Sequence, residues 1–286
     1  MKLIINITLL TFIILLVAGC KKSFVDQDPY NASIVESLYF TTQEQCNTST
    51  QANYNNILYG SWWQRQNFRF LSGEATSDNA WIGNTYQSTH ANFDVVAFYT
   101  LDAANDRVEA HWVMTYKSIG VINHTIGGIE GAAIDENAKN QYLAELKFMR
   151  SYLYLDLVRN WGDIPLILKV ESPSTKIPRS RTDVVYTQLI SDLKQAANVL
   201  PRKSQYSPTD KFRVSKGAAL ALLAKIYLYK EDWANAEIAA KQVVDMGEYA
   251  LEPQFGNLWS YTNKNGIESI LEAQYSSIQT PGSTGS

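Results

Sequence analysis

The residues best suited to chemistry lie in the longest irregular stretch of the chain, Trp62 to Thr100 (WWQRQNFRFLSGEATSDNAWIGNTYQSTHANFDVVAFYT). It has no helical or strand period and is rich in Trp, Asn, Ser, Gly and Asp, and long loops of this kind on rigid scaffolds tend to carry function. Within it Asp78, Asn79, Trp81, Asn84 and Tyr86 set two aromatic rings among two amides and an acid. A flat indole face stacks on a pyranose ring, and amide and carboxylate groups bond its hydroxyls. The same spacing also fits a loop core in which Trp81 is buried and the polar groups fix turns. Trp62, Trp63 and Trp259 are weaker candidates for the same role. Glu74 and Asp78 are four residues apart, but no acid–base motif surrounds them, so binding is expected and glycoside hydrolysis is not. His90, His111 and His124 show no metal-ligand spacing and are expected to be structural; no cofactor is expected.

The other chemically distinctive residue is Cys20. Residues 1–19 carry a lysine near the start, an apolar run from Leu3 to Val17, and small residues before the cysteine. A 15-residue helix reaches about 22 Å, short of a hydrocarbon core of roughly 30 Å, so the segment reads as a signal peptide rather than a span. Val17-Ala18-Gly19-Cys20 resembles the lipobox of bacterial lipoproteins, which makes Cys20 the lipidation site. Several acyl chains at about 0.8 kcal/mol per buried methylene anchor stably. Residues 20–31 then form a polar, proline-containing tether without a period. Cys46, the second cysteine, has no partner and is expected to be a small buried residue of a helix.

Composition bounds the rest. The chain has 286 residues, 45% of them hydrophobic and 19% charged, which suits a globular fold rather than a disordered tail. Removal of residues 1–19 takes away only Lys2 among the charged residues. The mature chain then has 24 basic and 28 acidic residues, a net charge of −4, which disfavours a nucleic-acid partner. Its 17 Tyr and 7 Trp exceed what a core alone needs and leave rings for a surface.

Periodicity places helices around the irregular loops. One is expected from about 42 to 59, with Thr41-Thr42-Gln43-Glu44 as a capping box and Gly60 as its stop. A second runs from Asn105 to about Ile129 with Val108, Trp112, Tyr116, Ile119, Ile122 and Ile126 near one face. The third ends at Trp161. In it Tyr142, Leu146, Met149, Leu153 and Leu157 form one apolar stripe, and Ala144, Phe148, Tyr152 and Leu155 another, so it should be packed on both sides. Gly162 and Pro165 stop it. A fourth helix is expected from about Asp183 to Leu200. Ser215 and Asp232 then cap Lys216–Lys230 and a helix running to Met246. This last pair has tetratricopeptide spacing, with Leu220, Leu223, Ala224 and Tyr227 facing Trp233, Ala236, Ala240 and Val243. The fold class expected is mainly α, tetratricopeptide-like helix pairs in an α-α superhelix with long irregular loops.

The run ending in Arg150, Tyr152, Tyr154, Asp156, Leu157, Val158, Gly162, Asp163, Pro165 and Leu166 resembles a string of the SusD/RagB family, surface lipoproteins that bind glycans for Bacteroidetes. Ser151 stands where the family usually has Ala. Trp112, Tyr116, Ile119 and Asn123 resemble a second family helix, Arg213 to Tyr229 a third, and Glu268, Ile270, Glu272 and Tyr275 a short strand expected over Ile267 to Tyr275. The resemblance covers residues 15 to 275, taken as the N-terminal portion of the family fold, so the chain looks shortened at its C-terminus. The helical domain is placed at 32–275 and an unstructured tail at 276–286. What the resemblance implies is a lipid-anchored outer-membrane protein, facing outward, that captures oligosaccharide or polysaccharide and delivers it to a SusC-like TonB-dependent transporter. The rival is a non-glycan helical-repeat scaffold or peptide-binding lipoprotein. Cys20→Ala should shift the protein from the membrane to the soluble fraction; a mutant still membrane-bound after leader cleavage would remove the anchor.

Overall fold

The computed structural model describes residues 39–58, 73, 76–77, 98–102, 104–172 and 174–272. All but Tyr39 belong to one unit, Phe40–Ser286. Six α-helices make its frame: α1 (Gln43–Leu58), α2 (Asp106–Glu130), α3 (Glu136–Trp161), α4 (Thr182–Val199), α5 (Lys216–Tyr229) and α6 (Trp233–Asp245). Chain neighbours α2 and α3, α3 and α4, α4 and α5, and α5 and α6 pack on one another, and α1 closes on α2 and α3. This is the helix-pair architecture expected.

The helices begin where local side chains can bond their free N–H groups. Asn105 accepts from the amides of Arg107 and Val108, Asp135 from Ala138, Ser215 from Ala218 and Asp232 from Asn235. At α1 the capping box is one residue later than the sequence suggests. The Thr42 hydroxyl accepts from the Gln45 amide at 3.2 Å, and the Gln45 side chain reaches back to the Thr42 amide at 3.1 Å. The start of α3 at Glu136 precedes its apolar pattern because its first turn is polar and solvent-facing. Gly162 ends α3 with φ of 70°, and Gly247 follows α6 with φ of 66°, both disfavoured for residues with a Cβ.

The core is where these helices meet. On α3, Leu146, Met149, Leu153 and Leu157 are fully buried on one stripe, and Ala144, Phe148 and Leu155 are buried on the other. Cys46 is buried on α1, where burial pushes its thiol pKa up and keeps it protonated. The string after α3 is tied down by side chains from two helices. The Tyr116 hydroxyl donates to the Pro165 carbonyl at 2.8 Å, the Asn123 amide to Ile167 at 2.9 Å, and Arg150 to Leu168 at 2.9 Å. Tyr154 donates to the Ile167 carbonyl and accepts from the Ile167 amide. Burial holds the phenols of Tyr116 and Tyr154 well above their usual pKa, so both remain neutral donors. Asp163 accepts from the Thr182 amide at the start of α4, and Ile164 bridges Ser180. The Trp-Gly-Asp-Ile-Pro-Leu string is therefore the strap joining α3 to α4.

Two expectations change. Residues 267–272 form turns and bends rather than a strand, because among the described residues the segment is held by isolated bonds, such as Ala250 N–H to the Ile267 carbonyl, with no partner strand. In the α5–α6 pair Ala236 and Val243 are buried as expected, but Trp233 is 61% exposed and Ala240 is exposed, with Ala239 taking the buried place. Spacing of three and then four residues from Ala236 keeps one face on α5, and Ala240 lies off that face. Ala236→Leu should overpack the pair and lower stability by about 1–3 kcal/mol. An unchanged melting temperature would count against close α5–α6 packing.

Candidate functional site

Asp78, Asn79, Trp81, Asn84 and Tyr86 lie outside the described residues, as do Trp62, Trp63, Glu74, His90 and Cys20. What the structure does place is Gly73, Thr76 and Ser77 before the five candidates and residues 98–102 after them. The Tyr99 hydroxyl donates to the Thr76 carbonyl at 2.5 Å, and the Thr76 hydroxyl donates to the Gly73 carbonyl at 3.1 Å. The Tyr99–Thr76 bond thus brings together residues that flank the five candidates in sequence.

Gly73 stands at a groove of about 280 Å³ between α3 and α5. Its walls offer the ring of Tyr152, the carboxylate of Asp156, the amide of Asn160 and the cations Arg159 and Lys225. Three of these groups are held in place. Asp156 is 2.8 Å from Nε2 of His111, a buried ring stacked on Trp161 with centroids 5.5 Å apart. Asn160 donates to the Asp156 carbonyl at 2.7 Å, and the Arg159 guanidinium lies 4.5 Å from the centre of the Tyr229 ring. A fixed carboxylate, a fixed amide and a half-buried phenol are groups that bond hydroxyls and stack on sugar faces.

This groove continues into a larger and mainly apolar one of about 430 Å³, which shares Tyr152, Leu222 and Lys225 and runs past Phe148 and Phe212 to Leu271 and Glu272. The apolar stripe of α3 and the family string account for Tyr152 in the sequence without pointing to a groove. The available signal was the polar row Asp156, Arg159 and Asn160, which follows Tyr152 at helical spacing on a helix otherwise apolar on both sides. Trp259, a weaker candidate, is 78% exposed on a short 3-10 turn and touches Phe255 edge to face. His111 pairs with Asp156, and among the described residues no group of three His, Cys, Asp or Glu side chains gathers as a metal site. No helix among the described residues is long and apolar enough to cross a membrane.

Comparison with known proteins agrees with the helix-pair geometry. Residues 23–228 match a SusD-like family described as starch-binding and associating with the outer membrane. SusD-like protein P2 of Formosa agariphila is 30% identical over 268 residues, covering 92% of this chain and 51% of that protein. Among solved structures, a laminarin-binding SusD-like protein superposes with a TM-score of 0.70 at 26% identity, covering 80% of this chain and 50% of that one. Surface glycan-binding protein A from Bacteroides uniformis gives a TM-score of 0.71 at 24% identity, covering 81% of this chain and 52% of that one, a likeness of fold. The chain spans about half the length of the curated relatives it matches. A family match over most of the chain, with the same helical frame in solved relatives, establishes that this chain belongs to the SusD-like family.

Proposed function

We propose that the protein is a cell-surface lipoprotein, anchored in the outer membrane through Cys20 and facing the exterior. It captures oligosaccharide on the 62–100 loop and passes it to a SusC-like TonB-dependent transporter. Asp78, Asn79, Trp81, Asn84 and Tyr86 form the binding platform, with Trp81 as the stacking ring. The observation that carries this reading is the Tyr99–Thr76 bond flanking the five candidates, with Gly73 at the Tyr152–Asp156–Asn160 groove, in a chain of a family described as starch-binding. A relative described as laminarin-binding supports a polysaccharide ligand. The role is binding, not hydrolysis, because a glycosidase needs two carboxylates set across the scissile bond, and neither the loop nor the groove is assigned such a pair.

Affinity electrophoresis of residues 21–286 through gels containing soluble polysaccharides, laminarin and starch among them, tests the platform. Trp81→Ala should weaken retardation by roughly 1 kcal/mol or more while leaving the helical circular dichroism unchanged. Asn84→Ala should also weaken binding without unfolding. If Trp81 is loop core, its loss should instead lower stability by about 3–5 kcal/mol, and the platform is then wrong. The soluble Cys20→Ala form should still co-purify with the transporter barrel, since protein surface holds the pair; complete dissociation would contradict delivery by direct contact.

A further inference from the structure

A second groove lies on another part of the frame, between α4 and α6 with α5 as its floor, and holds about 330 Å³. Lys194 and Asn198 stand one turn apart on the α4 wall, roughly 6 Å along the axis. Asn235 and Gln242 stand two turns apart on the facing wall of α6, roughly 10 Å. The floor includes the buried side chains of Leu223 and Tyr227, and the small residues Ala197 and Ala239 keep the groove open to backbone-width chains. The Lys194 ammonium makes no ion pair among the described residues and sits 5.9 Å from the centre of the Tyr227 ring. The side-chain amides of Asn198 and Gln242 bond to no other described residue, while Asn235 donates to Asp232 at 2.8 Å. The groove's lining includes this one cation and no anion.

The geometry points to a binding site for an extended peptide segment bearing a carboxylate, distinct from the glycan platform. Each free carboxamide offers one acceptor and two donors, which match the C=O and N–H groups of an extended backbone. Three or four extended residues span the roughly 10 Å between Asn235 and Gln242. Lys194 then meets the carboxylate, either a C-terminus or an acidic side chain. A sugar fits poorly, because the groove's aromatic ring is only 5% exposed and carries Lys194 over it, which leaves no open face for stacking. An amphipathic helix fits poorly too, since it needs a row of apolar anchors, and the walls carry three amides, Lys194 and a single exposed apolar side chain, Ile238. Stacked helix pairs commonly bind chains along such concave surfaces.

The test is an array of random peptides of about six residues, each printed with a free C-terminal carboxylate and again as the carboxamide, probed with the mature chain. Spots bearing a free C-terminal or side-chain carboxylate should retain the protein, and binding should weaken as salt is raised. Lys194→Gln should weaken retention of those spots about tenfold. Asn198→Ala and Gln242→Ala should weaken retention of the carboxylate-bearing spots whatever the rest of their sequence. All three positions are exposed, so circular dichroism and polysaccharide retardation should remain those of the wild type. Equal retention by the Lys194→Gln variant, indifference to peptide charge, or displacement by soluble polysaccharide would each overturn the proposal. The glycan reading would survive the first two results.

Discussion

Arg150 is a guanidinium buried in the middle of α3, and three parts of the frame converge on its two terminal nitrogens. Its Nη1 donates to Asn123 of α2 and to the Leu168 carbonyl, both at 2.9 Å, and its Nη2 meets Asp192 of α4 at 3.0 Å. Asp192 is completed by the Gln188 amide. One side chain thereby joins three helices and the strap. One and a half turns earlier, Glu145 plays the same part with opposite sign, accepting from Arg213 at 3.1 Å, from Tyr54 of α1 at 2.7 Å and from Gln141 at 3.2 Å. Desolvation raises the Glu145 pKa, and Arg213 and the Tyr54 bond work against that rise. Burying such charges costs several kcal/mol each, so the pairs are not a large source of net stability. They fix which helix lies against which, since any other packing strands a charge.

That constraint carries through to the candidate site. With α3 fixed, its strap leaves at Gly162 and delivers α4 to the far side, while its polar row of Asp156, Arg159 and Asn160 faces the groove beside Gly73. Arg213 also bonds Asn47, and the Val214 amide donates to Tyr54, so the segment entering α5 is fixed to α1 from the same network. The two grooves then lie against the α5 scaffold on different walls, one with a fixed phenol and carboxylate and one with free amides and a cation. Their chemistries differ because one takes in Gly73 from outside the helical frame and the other is built from helix faces alone.

How much of this was legible follows from distance along the chain. Helix ends were accessible because caps and glycines act within four residues, as Asn105, Ser215 and Asp232 show. The buried charges were not. Arg150 and Glu145 appear in sequence as ordinary polar positions of an amphipathic helix, and their partners lie 42 and 68 residues away. The strand expected at Ile267 failed for a related reason, since a strand exists only through a neighbour. The α4–α6 groove was hidden because Asn198 and Gln242 become neighbours only after α5 folds between them. The proposed glycan platform, read from a composition of rings and amides, has no period in the sequence to fix its geometry.

The central claim is that buried charges on α3 specify the frame, and a double-mutant cycle between Arg150 and Asp192 tests it most directly. Arg150→Met, Asp192→Leu and the double variant would be unfolded in urea. Each single change should cost about 3–5 kcal/mol by stranding the other charge. The double variant should regain about 2 kcal/mol or more relative to the sum of the two. Costs that add to within about 0.5 kcal/mol would contradict the account, because the two charges would then be acting independently.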